Sequence, residues 1–167
     1  MFLPRVSSST RETIARELDS RGPASCVQDA VQELSATNPE ILDMATKCAV
    51  SFGQHSERAM LELCMFYRVL SAELKRMTPT MALLGPLPRV TEQTRARVVE
   101  QIDGQGVEAF TMSAINELEA SNAELLQMAH HAATRLGSYL LLMQGFALLY
   151  KALSEQATAD RAGIALH

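Results

Sequence analysis

Residues 3–53 recur without a gap as residues 87–137, eighty-four positions later, and 19 of the 51 aligned pairs are identical. The copies open on Leu3-Pro4-Arg5-Val6 and Leu87-Pro88-Arg89-Val90. They share Glu33-Leu34 with Glu117-Leu118, and Asn38-x-Glu40-x-Leu42-x-Met44-Ala45 with Asn122-x-Glu124-x-Leu126-x-Met128-Ala129. Past Gly53 and Gly137 the register slips by one residue, and pairing resumes at Met60 and Met143, Tyr67 and Tyr150, Leu70 and Leu153, Ser71 and Ser154. The matched positions include helix starts and core residues, so each half is expected to be the same structural unit. An 84-residue period is too long for a solenoid repeat, which leaves two fused copies of one small bundle.

A half of about 80 residues is marginal as an independent domain, whereas a chain of about 150 residues buries roughly 68–70% of its unfolded surface. The halves are therefore expected to complete each other's core about a pseudo-twofold axis, as a homodimer would. The predicted organisation is a first helical repeat over 1–75, a proline-containing linker over 76–88, a second repeat over 89–157 and a frayed tail over 158–167, with both repeats in one compact domain.

Apolar residues outside the linker fall at helical spacing and no stretch alternates as a half-buried strand does, so the fold class is all-α, with four helices per half. The first helix spans about 9–20, with Ser9-x-x-Glu12 as a capping box, and its copy opens after Thr91. The second carries Val27, Ala30, Val31 and Leu34, matched by Thr111, Ala114, Ile115 and Leu118. Asn38-Pro39-Glu40 reads as a cap, a first-turn proline and a carboxylate at the positive end of the helix dipole. Ala123 replaces the proline in the second copy, where two helices are expected to run together. The third helix buries Ile41, Met44, Ala45, Cys48 and Phe52, and the fourth is longest, about 56–75 and 138–157.

Fifteen basic against nineteen acidic residues give a net charge of −4, with no basic run, so nucleic acid finds no electrostatic footprint. The longest apolar stretch, Leu136 to Tyr150, is interrupted by Gln144 and too short for a bilayer, which needs about twenty residues. A soluble, cytoplasmic protein is expected. Three cysteines, Cys26, Cys48 and Cys64, stand opposite Phe110, Ala132 and Ala147, and read as buried free thiols.

No phosphate-binding loop, nucleophile elbow or zinc-protease helix occurs, so no enzyme activity and no cofactor are expected. His130-His131 invites a metal reading, but the residues three positions earlier are Gln127 and Met128, not the glutamates of a di-iron bundle. Arg5 and Arg89 recur with Arg11 and Arg95. They either surround an anion or, on the stronger reading, pair with glutamates of their own half, Glu33 or Glu40 and Glu117 or Glu124. The halves differ most in the fourth helix, where Glu57-Arg58 and Glu62 of the first copy give way to Leu140-Leu141 and Gly145. That segment is expected to be a central helix that also forms a homodimer interface through Leu140, Leu141, Gly145 and Leu148. The leading expectation is a non-enzymatic adaptor or regulatory protein that binds another protein. The alternative is an apolar small-molecule binder with a methionine-lined pocket between the repeats.

Overall fold

The computed structural model describes residues 3–77 and 87–165, and all regular structure among them is helical. Eight α-helices follow in order: α1 (Ser8–Arg21), α2 (Pro23–Thr37), α3 (Pro39–Val50), α4 (Ser56–Met77), α5 (Glu92–Gln105), α6 (Val107–Ser121), α7 (Ala123–Leu136) and α8 (Tyr139–Ala165), with a single 3-10 turn, Gly53–His55, before α4. Most of the expected linker, residues 78–86, lies outside the described residues. Of the tail expected to fray, residues 158–165 belong to α8, and 166–167 lie outside the described residues.

Local chemistry explains the breaks. Ser7, not Ser9, caps α1: its Oγ accepts from the Thr10 amide at 3.2 Å, and Thr91 does the same for Thr94 at 3.1 Å before α5. Gly22 and Gly106 close these helices at φ 85° and 89°, where a side chain would be strained, and their amides donate to Leu18 and Ile102. Asn38 and Asn122 then adopt matching non-helical backbones, φ −153° and −154°, between α2 and α3 and between α6 and α7. The proline at 39 is therefore not what breaks the helix, because α6 and α7 separate equally well at Ala123. Neither asparagine caps its helix through the side chain; that amide is engaged elsewhere.

Two long helices form the middle of the bundle. α4 packs against α1, α2, α3, α7 and α8, and α8 against α3, α4, α5, α6 and α7. Every residue from Leu63 to Leu70 except Arg68 is buried, so α4 is covered nearly all round and need not be amphipathic there. Phe66 of α4 stacks on Phe146 of α8 with ring centroids 4.9 Å apart, an arrangement that adds about 0.5–1.5 kcal/mol to the area buried. Polar groups on the central helices bind the starts of outer ones. The Glu73 carboxylate accepts from the Ser7 amide at 2.6 Å and the Thr10 hydroxyl at 3.0 Å, and Gln156 Oε1 accepts from the Thr91 amide at 3.1 Å and the Thr94 hydroxyl at 2.6 Å.

The segments before α1 and α5 cross between the halves. Asn122 Oδ1 accepts from the Val6 amide at 2.9 Å and its Nδ2 donates to the Pro4 carbonyl at 2.9 Å. Asn38 makes the same two bonds with Val90, at 2.9 Å, and Pro88, at 2.7 Å. Replacing Asn38, which has no exposed surface, by alanine leaves a buried N–H and a buried C=O without partners. Asn38→Ala is predicted to lower unfolding stability by about 2–4 kcal/mol, measured by urea denaturation, with no change in the helical signal of the folded state.

Candidate functional site

The arginines divide into two roles. Arg5 and Arg89 are exposed, and among the described residues neither lies within ion-pair distance of a carboxylate. Of the glutamates expected as their partners, Glu33 and Glu117 are engaged by the long helix of their own half. Glu33 accepts from Ser71 at 3.1 Å and pairs with Lys75 at 3.4 Å and Arg68 at 3.8 Å, while Glu117 pairs with Lys151 at 2.5 Å. Arg11 and Arg95 reach across to the other half: Arg11 meets Glu124 at 3.3 Å, and Arg95 meets Glu40 at 2.9 Å and Asp43 at 2.7 Å. Glu40 in turn raises the Arg95 pKa, and Arg95 holds the Asp43 carboxyl below the usual carboxylate range. The four guanidinium groups do not converge as a single anion site requires, because two are exposed and two are paired with carboxylates.

The four expected interface residues also separate. Leu140 is 69% exposed and Leu141 37%, but Gly145 is buried and Leu148 half-buried. A Cβ at Gly145 would stand 3.2 Å from Leu63 Cδ2 and 3.8 Å from the Cys48 Cβ, so the glycine serves the close approach of α8 to α4 and α3. Leu148 lines a hollow of about 340 Å³ with Met44, Cys48 and Val99, rimmed by Lys47, Ser51 and Arg95. Distance along α8, rather than helical face, decides exposure: Tyr139 to Leu141 are exposed, and burial begins at Leu142.

Large apolar side chains are also exposed on α6. α6, which packs on α8, begins with exposed Val107, 43%, and carries Met112, 53%. These positions align with the residues that line an open groove of about 800 Å³ in the first half. Pro23, Ala24, Val27, Met60 and Leu61 form its apolar walls, with Gln28, Glu57 and Arg58 beside them. At the aligned positions, leucines stand in place of Glu57 and Arg58 and a methionine in place of Gln28, while Glu108 stands in place of Ala24. The start of the α6–α8 pair therefore presents large apolar side chains to solvent, where the α2–α4 pair presents a groove with charges beside it.

Other candidates have structural roles. The His130 ring stacks on Tyr139 with centroids 5.5 Å apart and is hydrogen-bonded by its hydroxyl. Arg11 Nη2 donates to His131 Nδ1 at 2.9 Å. Among the described residues, no group of three or more His, Cys, Asp or Glu side chains is placed to hold a metal ion, and no helix is long and apolar enough to cross a membrane. Cys26 and Cys64 are buried and Cys48 is half-buried, all as free thiols. At Cys26, where the other half places buried Phe110, a hollow of about 100 Å³ remains, edged by Glu17, Arg21, Asp29, Glu33 and Arg68.

Helical periodicity does not reveal the structural roles of Glu73, Gln156 and the asparagine amides. A polar residue recurring inside an otherwise apolar stripe, Glu73 and Gln156 in the slipped register, was the available signal.

Burial alone pushes the Cys64 thiol up to about 11, leaving on the order of one thiolate in a thousand at pH 8. The folded protein at that pH is predicted to leave Cys64 unmodified by iodoacetamide, as read by peptide mass mapping, and to alkylate it once unfolded. Comparison with protein-family models, with curated proteins and with solved structures finds no match.

Proposed function

We propose that this chain is a non-enzymatic interaction protein of adaptor or regulatory type, working in the cytoplasm. In this reading it is built from two copies of one four-helix unit about a pseudo-twofold axis. One observation carries the functional part: four large apolar side chains, Val107, Met112, Leu140 and Leu141, are exposed at the start of the α6–α8 pair, with Glu108 the charged residue beside Val107. Exposed apolar clusters on a folded chain mark places where another surface docks. α8 carries no charge from Tyr139 to Tyr150, so a partner there, whether another protein or a second copy of this chain, meets apolar and aromatic chemistry. The reciprocal bonds of Asn38 and Asn122 support the two-copy reading, since a matched contact made twice is the signature of an isologous interface.

A second reading, an apolar small-molecule site, draws support from the α2–α4 groove. Its volume of about 800 Å³ and walls of Val27, Met60 and Leu61 suit a small apolar ligand. That groove lies within the first half rather than between the halves.

Leu140→Glu and Leu141→Glu test the leading reading. Leu140 is mostly in water already, so its substitution is predicted to change stability by no more than about 0.5 kcal/mol. The expected outcome is a folded, soluble variant that loses self-association in sedimentation velocity or loses partner capture. Variants indistinguishable from the parent in both assays would remove this surface from consideration. A ligand of defined mass retained in native mass spectrometry would favour the groove.

A further inference from the structure

Leu3–Val6 and Leu87–Val90 are short non-helical segments, each leading into an extended residue, Ser7 or Thr91, and held by equivalent bonds on opposite halves. In each seat one buried asparagine reads the backbone twice, accepting from the valine N–H and donating to the proline carbonyl. Both prolines and both valines are buried, and both arginines face solvent. Paired backbone bonds with alternate side chains inserted are the chemistry by which folded domains recognise extended peptides. Proline suits such a seat because it has no N–H to satisfy and is held near an extended conformation.

The two seats are unequal. Leu87 is 1% exposed, whereas Leu3 is only half-buried. Leu3 borders a hollow of about 270 Å³ lined by Ser121, Asn122, Tyr150, Ser154 and Arg161. Asn38 Nδ2 also lies 3.5 Å from the Tyr67 hydroxyl. The Pro88 carbonyl is closer to its asparagine, at 2.7 Å, than the Pro4 carbonyl, at 2.9 Å. Ser7 is tied to Glu73 independently, so a hinge between Val6 and Ser7 frees the segment without undocking α1.

We propose that the seat at Asn122 is a peptide-binding site and that Leu3–Val6 is its displaceable internal occupant. Its external ligand is an extended segment of another protein carrying Leu-Pro-x-Val, with x unrestricted because Arg5 faces solvent. This site is distinct from the Leu140–Leu141 surface and does not rest on the reading given to it. A tethered occupant competes at an effective concentration on the order of millimolar, so external peptide binds appreciably only as the segment opens.

Hydrogen exchange on the intact protein tests the opening. The Val6 and Val90 amides donate to equivalent acceptors, and Val6 is expected to exchange at least tenfold faster; equal or slower exchange overturns the proposal. The recognition is tested with Val6→Asp, which disfavours the internal occupant, and the probe acetyl-Leu-Pro-Arg-Val-amide. NMR titration should show the probe shifting the Asn122 side-chain amide and binding at least tenfold more tightly than to the parent, an effect lost when Asn122→Ala is added. A folded Val6→Asp variant that ignores the probe overturns the proposal, and if that variant does not fold, the exchange comparison on the parent decides.

Discussion

A buried side-chain amide must have its donors and acceptor satisfied, or it costs more than it contributes. Asn38, with no exposed surface, and Asn122, 4% exposed, sit at the breaks between α2 and α3 and between α6 and α7. Each meets that requirement with the backbone of a segment that precedes a helix of the other half. The break is thereby coupled to a contact some fifty residues away in one case and more than a hundred in the other. Neither half presents its asparagine with a partner unless the other is in place. The arginines add to this coupling from the surface, Arg11 to Glu124 and Arg95 to Glu40, but these pairs are partly exposed and contribute little beside the buried amides.

The aligned halves differ in sequence where packing allows it. Cys26 replaces a bulk that Phe110 supplies on the other side, and a hollow remains beneath a ring of ion-paired groups. Gly145 stands where the first half has Glu62, a carboxylate whose pKa is raised by burial although Arg135 lies 3.4 Å away. Glycine at that point removes a side chain that would meet Leu63 and Cys48, and α8 settles against α4 and α3. The close approach of the two central helices outweighs the roughly 1 kcal/mol of helix propensity that a mid-helix glycine forgoes.

Helical periodicity made the fold class legible, and the apolar positions repeated across the halves pointed to Ile41, Met44, Ala45, Tyr67, Leu70 and Ala129, all buried, and to Cys48 and Met60, which are half-buried. Partner choice was not legible. Asn38 beside Pro39 carries the local signature of a helix cap, and no local rule says that its amide turns away to a distant backbone. Arg5 and Glu33 recur together with Arg89 and Glu117, yet recurrence records only that each residue has the same surroundings in both halves, not that the two touch. The surface at Leu140 was visible as an all-apolar helix, but the sequence could not distinguish the exposed first turn from the buried turns that follow, because that depends on where neighbouring helices stop.

The contrast between the α2–α4 and α6–α8 corners bears on function for the same reason. A core position that changes from charged to apolar changes toward lower solvation cost, and burial explains it fully. Leu140 gains no such burial: it is 69% exposed where the aligned residue is Glu57, itself exposed. Leucine and methionine stand there in place of glutamate, arginine and glutamine, while Glu108 stands in place of Ala24, so the corner exchanges charge for apolar surface at three positions and the reverse at one. Burial within this molecule does not account for leucine at 140, as it does not for the exposed Val50 and Met77.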